Sequence, residues 1–167
     1  ECITPHDNKL YSGSSDDTIR IWNTETHEQI ATLRGHTCFV VCLILHKNKL
    51  YSGSWDKTIR IWNIETHELI TTLIGHTGFV DGLTLHENKL YSASYDDTIR
   101  VWDTETYETI ATLRVHTDSV VCVALHENKM YSGSYDHTIR IWARGTNTET
   151  YEEIATLRGH TGFVMCI

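Results

Sequence analysis

Apolar and polar positions come in short bursts along this chain. Phe39 to Leu45 is a nearly continuous apolar run, the pattern of a strand covered on both faces. A polar turn follows at His46-Lys47-Asn48-Lys49, where Asn48 suits the positive φ that tight turns require. Lys49 to Ser54 reads as a second strand, and Thr58 to Trp62, rich in β-branched residues, as a third. Asn63 to Thr66 turns the chain again before a fourth strand from Leu69 to Leu73. Four strands within 40 residues have the spacing of an antiparallel all-β protein, and no stretch carries a helical amphipathic period.

The whole pattern then repeats. Tyr11-Ser12-Gly13-Ser14 returns at Tyr51, as Tyr91-Ser92-Ala93-Ser94, and at Tyr131. Each copy runs on through an Asp and Thr-Ile-Arg to a tryptophan, giving Trp22, Trp62, Trp102 and Trp142 at 40-residue intervals. Gly35-His36 likewise recurs as Gly75-His76, Val115-His116 and Gly159-His160. The last interval is four residues longer, because Ala143 to Asn147 interrupts the usual Asn/Asp-Thr-Glu-Thr turn. Self-similarity at this period marks units that bury a core only by stacking.

Gly-His followed by Ser-Gly-Ser-x-Asp-x-Thr-Ile-Arg-Ile-Trp resembles the WD-repeat family of β-propellers, over essentially the whole chain. The terminal Trp-Asp pair stands only at Trp102-Asp103; elsewhere it is Trp22-Asn23, Trp62-Asn63 and Trp142-Ala143. Within the family, the Leu-His-x-Asn-Lys-Leu stretch is most similar to propellers of F-box ubiquitin-ligase receptors and signalling scaffolds. The resemblance implies an all-β fold of four four-stranded antiparallel blades, a half-ring or slice of a seven- or eight-bladed propeller. Repeats are expected at about 1–35, 36–75, 76–115 and 116–159, with 160–167 starting a further one.

Each repeat carries a His, a Ser, an Asp and a Trp that imitate a nucleophilic triad. The resemblance assigns them to a structural hydrogen-bond relay: His36, Ser52, Asp56 and Trp62; His76, Ser92, Asp96 and Trp102; His116, Ser132, Asp136 and Trp142. A catalytic set is expected once, in a cleft, whereas this one is copied in every repeat. The non-enzymatic reading is therefore preferred.

Composition narrows the partners. The chain has 167 residues, with 14 basic and 22 acidic side chains and a formal net charge of −8. A nucleic-acid partner needs a concentrated basic surface and is not expected. No apolar run approaches the roughly 18 residues that span a bilayer, and no secretory leader pattern opens the chain, so no membrane role is expected. Five cysteines without dense spacing, and no Asn-x-Ser/Thr, fit a reduced cytoplasmic or nuclear setting. Residue 1 is Glu, which suggests a processed product or a slice of something longer.

Eleven histidines raise the question of a metal. Four stand in Gly-His positions, and His6, His46, His86 and His126 repeat in the turn after the first strand, which spreads them apart. Cys38 and Cys42, four apart on one strand, are separated by roughly 13 Å, too far to hold one ion. Neither a metal nor a cofactor is expected. Cys2, Cys42, Cys122 and Cys166 share one repeat position with Gly82, a place that demands a small side chain.

In the resembling family, partners dock around the entrance of the central channel through two positions per blade. Here the first reads Glu1, Val41, Asp81, Val121 and Met165, and the second reads Ser15, Trp55, Tyr95 and Tyr135. Phosphodegron receptors place arginines there, and this chain has none, which rejects a phosphopeptide pocket. The expected protein-binding residues are Val41, Trp55, Asp81, Tyr95, Val121 and Tyr135, with Phe39 and Phe79 either joining them or lying in the core. Aromatic anchors beside one carboxylate suit a peptide carrying Lys or Arg. The Glu-Thr-rich turns, Thr24 to Glu28 and Ile64 to Glu68, are expected to form a solvated acidic face.

The preferred function is thus a protein-interaction scaffold. The alternatives are a purely architectural half-propeller and a substrate receptor of a ubiquitin-ligase or kinase assembly. Ser12, Asp16 and Trp22 lack a preceding Gly-His, and His160 lacks a following Asp and Trp. A homodimer closing an eight-bladed ring, with His160 of one copy completing Asp16 of the other, is expected on that ground.

Overall fold

The computed structural model describes residues 2–114, 116–145 and 150–166. The readings above that involve Glu1, Val115, Ile167 and the 146–147 part of the interrupted turn fall outside them. The described residues contain sixteen strands and no helix. They form four antiparallel four-stranded sheets, each built from consecutive strands.

The first sheet holds β1 (Ile3–His6), β2 (Lys9–Gly13), β3 (Thr18–Asn23) and β4 (Gln29–Arg34). The second holds β5 (Val40–His46), β6 (Lys49–Ser54), β7 (Ile59–Asn63) and β8 (Leu69–Leu73). The third comprises β9 (Val80–His86), β10 (Lys89–Ser94), β11 (Thr98–Asp103) and β12 (Thr109–Arg114). The fourth comprises β13 (Val120–His126), β14 (Lys129–Ser134), β15 (Thr138–Arg144) and β16 (Tyr151–Arg158). The chain divides into two compact units, 1–80 and 81–167.

In the first unit, Tyr11, Ile19, Ile21 and Leu33 of the first sheet share a core with Val40, Leu43, Leu50 and Trp62 of the second. In the second unit, Tyr91, Ile99 and Val101 pack with Val120, Val123, Met130 and Trp142. These positions alternate along their strands, so one sheet buries its apolar face only against a neighbour. Each large side chain so covered contributes about 1.5–3 kcal/mol, which explains why a single repeat would not fold.

Three local features differ from the sequence reading. Lys47, not Asn48, takes the positive φ in the first turn (53°), as do Asp7, Glu87 and Glu127 in theirs. The asparagine amide is used otherwise: Asn48 Nδ2 donates to Glu65 Oε1 at 2.9 Å, tying two turns together. Next, the third and fourth strands of every sheet are offset by a bulge, between Ile21 and Trp22 in the first sheet and Ile61 and Trp62 in the second. The residue it skips on the outer strand is turned outward, which leaves Ile30 and Ile70 exposed. Finally, Ile64 is buried and His67 half-buried, so only part of the Ile64 to Glu68 turn is solvated, whereas Thr24 to Glu28 is exposed throughout.

Candidate functional site

The loop entering the second sheet carries His36, and the turn between β6 and β7 carries Asp56. His36 Nδ1 lies 2.6 Å from Asp56 Oδ2, and His36 Nε2 lies 2.8 Å from Ser52 Oγ. Trp62 Nε1 donates to the same Ser52 Oγ at 2.9 Å. The fourth sheet repeats this with His116 to Asp136 (2.7 Å), His116 to Ser132 (2.7 Å) and Trp142 to Ser132 (3.0 Å). In the third sheet Trp102 donates to Ser92 at 2.8 Å, and His76 is buried. The connectivity thus runs Trp–Ser–His–Asp, with the imidazole between serine and carboxylate.

A carboxylate only accepts, so His36 Nδ1 donates to Asp56, and the indole N–H donates to the Ser52 oxygen. The Ser52 hydroxyl lies within reach of both His36 Nε2 and, at 3.3 Å, the Arg60 carbonyl. The carboxyl of Asp136 feels burial, which would raise it, but hydrogen bonds from Thr138 and His116 win and hold it at about 2. Asp56 is held well below the usual range by the same balance of burial against His36 and Thr58. Burial lowers the His116 imidazole more than Asp136 raises it, so the ring is neutral at neutral pH.

The relay has the distances of a Ser–His–Asp triad without access to substrate. Ser52 and Ser132 are fully buried, and each oxygen already accepts a Trp N–H. What the arrangement accomplishes is mechanical: it fastens the entry loops of the second and fourth sheets to the second and third strands of those sheets.

The loop that His36 fastens carries Phe39, and its repeat equivalents carry Phe79 and Phe163. Phe39 and Phe79 both stack on Trp55, with ring centroids 5.1 and 4.9 Å away. Phe39 is 39% exposed while Trp55 and Phe79 are half-buried, so this stack is a surface ledge and not core. In the second unit Tyr135 stacks on the exposed Phe163 at 4.1 Å, and the Tyr95 and Tyr135 hydroxyls lie 2.7 Å apart. Burial, the Tyr135 hydrogen bond and the Asp81 carboxylate together push the Tyr95 phenol far up, so the Tyr95 hydroxyl stays protonated.

Val41 and Val121 occupy bulges that the sequence did not reveal. The inner-strand register passes from Val40 to Cys42 and from Val120 to Cys122, skipping the valine each time. A bulge re-aims the skipped side chain. Val41 is half-buried, but Val121 is buried, so it backs the surface without forming part of it. Asp81 is half-buried. The structure therefore presents two aromatic groups, Phe39–Trp55–Phe79 with Val41, and Tyr95–Tyr135–Phe163 with Asp81. Sequence reasoning missed Phe163, although its equivalence to Phe39 and Phe79 in the repeat was available.

Among the described residues, no three potential metal ligands come together. The five cysteines are free thiols. Among the described residues, no helix is long and apolar enough to cross a membrane.

The model of the WD domain, G-beta repeat matches residues 2–23, 27–63, 67–103 and 107–143. The chain belongs to the WD-repeat family. Its four sheets are WD-repeat propeller blades, and propellers of this family generally serve as non-enzymatic scaffolds for protein contact. An uncharacterized WD repeat-containing protein of Schizosaccharomyces pombe is 51% identical over 35 residues, which is 21% of this chain and 10% of that protein. The crystal structure of the computationally designed Ika8 protein matches with a TM-score of 0.87 at 29% identity. That match covers 98% of this WD-repeat chain and 50% of the Ika8 chain, so the chain spans about half the length of its structural relative.

Proposed function

We propose that this WD-repeat chain is a protein-interaction scaffold that binds a peptide segment or protein partner through its two aromatic ledges. The observation that carries this reading is the Phe39–Trp55–Phe79 stack, which keeps large rings half-open to solvent while the His36–Asp56 contact fixes the loop of Phe39 and the turn of Trp55. Rigid aromatic surface is the commonest source of binding energy at interfaces. Asp81 beside the Tyr95 and Tyr135 hydroxyls favours a segment bearing Lys or Arg, through a charge-assisted bond and a cation–π contact.

The test is a peptide array probed with the folded chain, comparing basic peptides with the same peptides in which Lys and Arg are replaced by Gln. Binding that needs the cation, and that falls by about tenfold or more in Trp55→Ala/Tyr95→Ala/Tyr135→Ala, is expected. Retention of every bound peptide by the triple variant would instead support an architectural role. Service as the substrate receptor of a ubiquitin-ligase or kinase assembly is a narrower form of the same reading. An intracellular location, cytoplasmic or nuclear, is part of the proposal and is supported by five free thiols.

A further inference from the structure

The outermost strand of the second sheet departs from the charge pattern of the other three. β8 and the residue after it read Leu69-Ile70-Thr71-Thr72-Leu73-Ile74, where the equivalents run from Gln29 to Arg34, Thr109 to Arg114 and Glu153 to Arg158. Arg34, Arg114 and Arg158 are exposed, and the isoleucine in their place is 78% exposed. Leu69 and Ile70 are exposed as well. β8 stands at the end of its sheet, with no strand on its outer side among the described residues. Such an edge offers a row of open N–H and C=O groups, and proteins that leave it bare protect it with charge. From Leu69 to Ile74 this edge carries none.

A cation lies behind the same edge without an anion. In the fourth sheet Arg140 Nη1 donates to Glu153 Oε2 at 2.6 Å, and in the first Arg20 Nη1 donates to Gln29 Oε1 at 3.1 Å. Leu69 stands at that place in the second sheet and offers Arg60 no acceptor. Among the described residues Arg60 makes no ion pair, and its Nε is buried without a hydrogen-bond partner. Its guanidinium lies against Gly35, where a Cβ would come within 2.5 Å of Nη1. Covered donors left unmatched are destabilising, and a carboxylate is the partner that satisfies them best.

We infer that the outer edge of the second sheet takes an extended segment of a partner protein as a fifth strand, and that a glutamate of this segment pairs with Arg60. The register specifies the segment. Arg60 stands opposite Thr72 and Trp62 opposite Leu69, because the bulge skips Ile70. Leu69, Thr72 and, two residues on, Ile74 therefore share the face of Arg60. Side chains of an added strand alternate in the same way, so the residue opposite Thr72 bears the carboxylate, and those two positions to either side are apolar and cover Leu69 and Ile74. β7 and the added strand are two strand spacings apart, roughly 9–10 Å, which an arginine and a glutamate side chain bridge together. The recognised pattern is apolar-x-Glu-x-apolar.

A second copy of this chain is the poorer occupant. Pairing of β8 with β8 would cover apolar side chains but bring no carboxylate, since Leu69 to Ile74 contains no acidic residue. Arg60 would stay as it is. A partner strand with a central glutamate satisfies the open backbone, the exposed isoleucine and leucine, and the guanidinium at once. Its charge is opposite to that of the segment proposed for the aromatic ledges.

The test is fluorescence anisotropy of a labelled, end-blocked peptide, Thr-Val-Thr-Glu-Thr-Val-Thr, titrated with the full chain. Saturable binding is expected, and about tenfold weaker binding of the same peptide with Gln for Glu. Leu69→Glu gives Arg60 an acceptor within its own sheet, and Ile74→Arg restores charge to the edge. Both install residues that the fourth sheet carries at these places, Glu153 and Arg158, so the fold is kept. Each should weaken binding by about tenfold or more. Amide hydrogen exchange should show protection by the peptide within Leu69–Leu73. Trp55→Ala/Tyr95→Ala/Tyr135→Ala should bind this peptide as the wild type does, which separates the edge from the ledges. Absence of binding, equal affinity for the Gln peptide, full affinity in either edge variant, or protection confined to other strands would each overturn the inference. Self-association of the wild type that Ile74→Arg abolishes would overturn it in favour of a second copy.

Discussion

His116 Nδ1 stands 2.7 Å from Asp136 Oδ2 while its Nε2 stands equally close to Ser132 Oγ, so one imidazole ties the loop before β13 to the strand and turn that follow. Both side chains are almost fully covered, at 1% and 5% exposure. Removing either leaves a buried polar group without its partner. Asp136→Ala and His116→Ala should each cost about 2–4 kcal/mol, and Trp142→Phe, which deletes one neutral hydrogen bond, about 1 kcal/mol. Urea denaturation measures all three, and the reverse ordering would contradict the relay's role.

The same pair sets the response to acid. The folded imidazole of His116 titrates below its ordinary 6.5, so protonation favours the unfolded chain and stability begins to fall below that pH. Asp136, held at about 2 against an ordinary 3.8, contributes stability that is present above 3.8 and lost as pH falls through about 2. Asp56 acts in the same direction. Melting temperature against pH should therefore decline in two stages, and His116→Ala should abolish part of the upper one while leaving a fall in the lower one from Asp56.

The small-residue position on the inner strand is one half of a matched pair. The Cys42 thiol faces Gly53, and Cys122 faces Gly133, whereas in the third sheet Gly82 faces Ala93. A Cβ on Gly53 would collide with the Cys42 sulfur and lie 2.9 Å from Val80 Cγ1. Gly53→Ala should cost about 1–3 kcal/mol by overpacking. Adding Cys42→Gly recreates the pairing of the third sheet and should recover part of that loss. Strict additivity of the two changes in thermal denaturation would show that they do not share the space.

How much of this was legible beforehand follows from what repeats. The strands of the second sheet lie within a residue of the pattern read from Phe39 to Leu73, because alternating burial leaves its mark on every position. The repeat brings His36, Ser52, Asp56 and Trp62 to the same spacing as their equivalents, which the sequence displays, but spacing carries no distances and so does not show which of them touch. The bulges under Val41 and Val121, and the stacking of Phe39 and Phe79 on Trp55, depend on register and ring orientation, which a one-dimensional pattern does not encode. The Cys42–Gly53 match was half visible: the sequence showed that the position is small, but not what limits it.

Lys57 offers the plainest stabilising change. It follows Asp56 in the tight turn before β7 and holds φ at 71°, with its side chain exposed. Asp17, Asp97 and His137 take the same conformation at the equivalent place, so the turn imposes it whatever the residue. A left-handed conformation costs an L-residue with a Cβ about 1–2 kcal/mol, and glycine escapes that cost while losing more freedom on folding. Because the exposed Lys57 side chain is not part of the relay and its amide still donates to the Ser54 carbonyl, the gain outweighs the loss. Lys57→Gly should raise stability by about 0.5–1 kcal/mol, read as a higher urea midpoint at unchanged slope. Lys57→Val, β-branched and poorly suited to positive φ, should move the midpoint the other way.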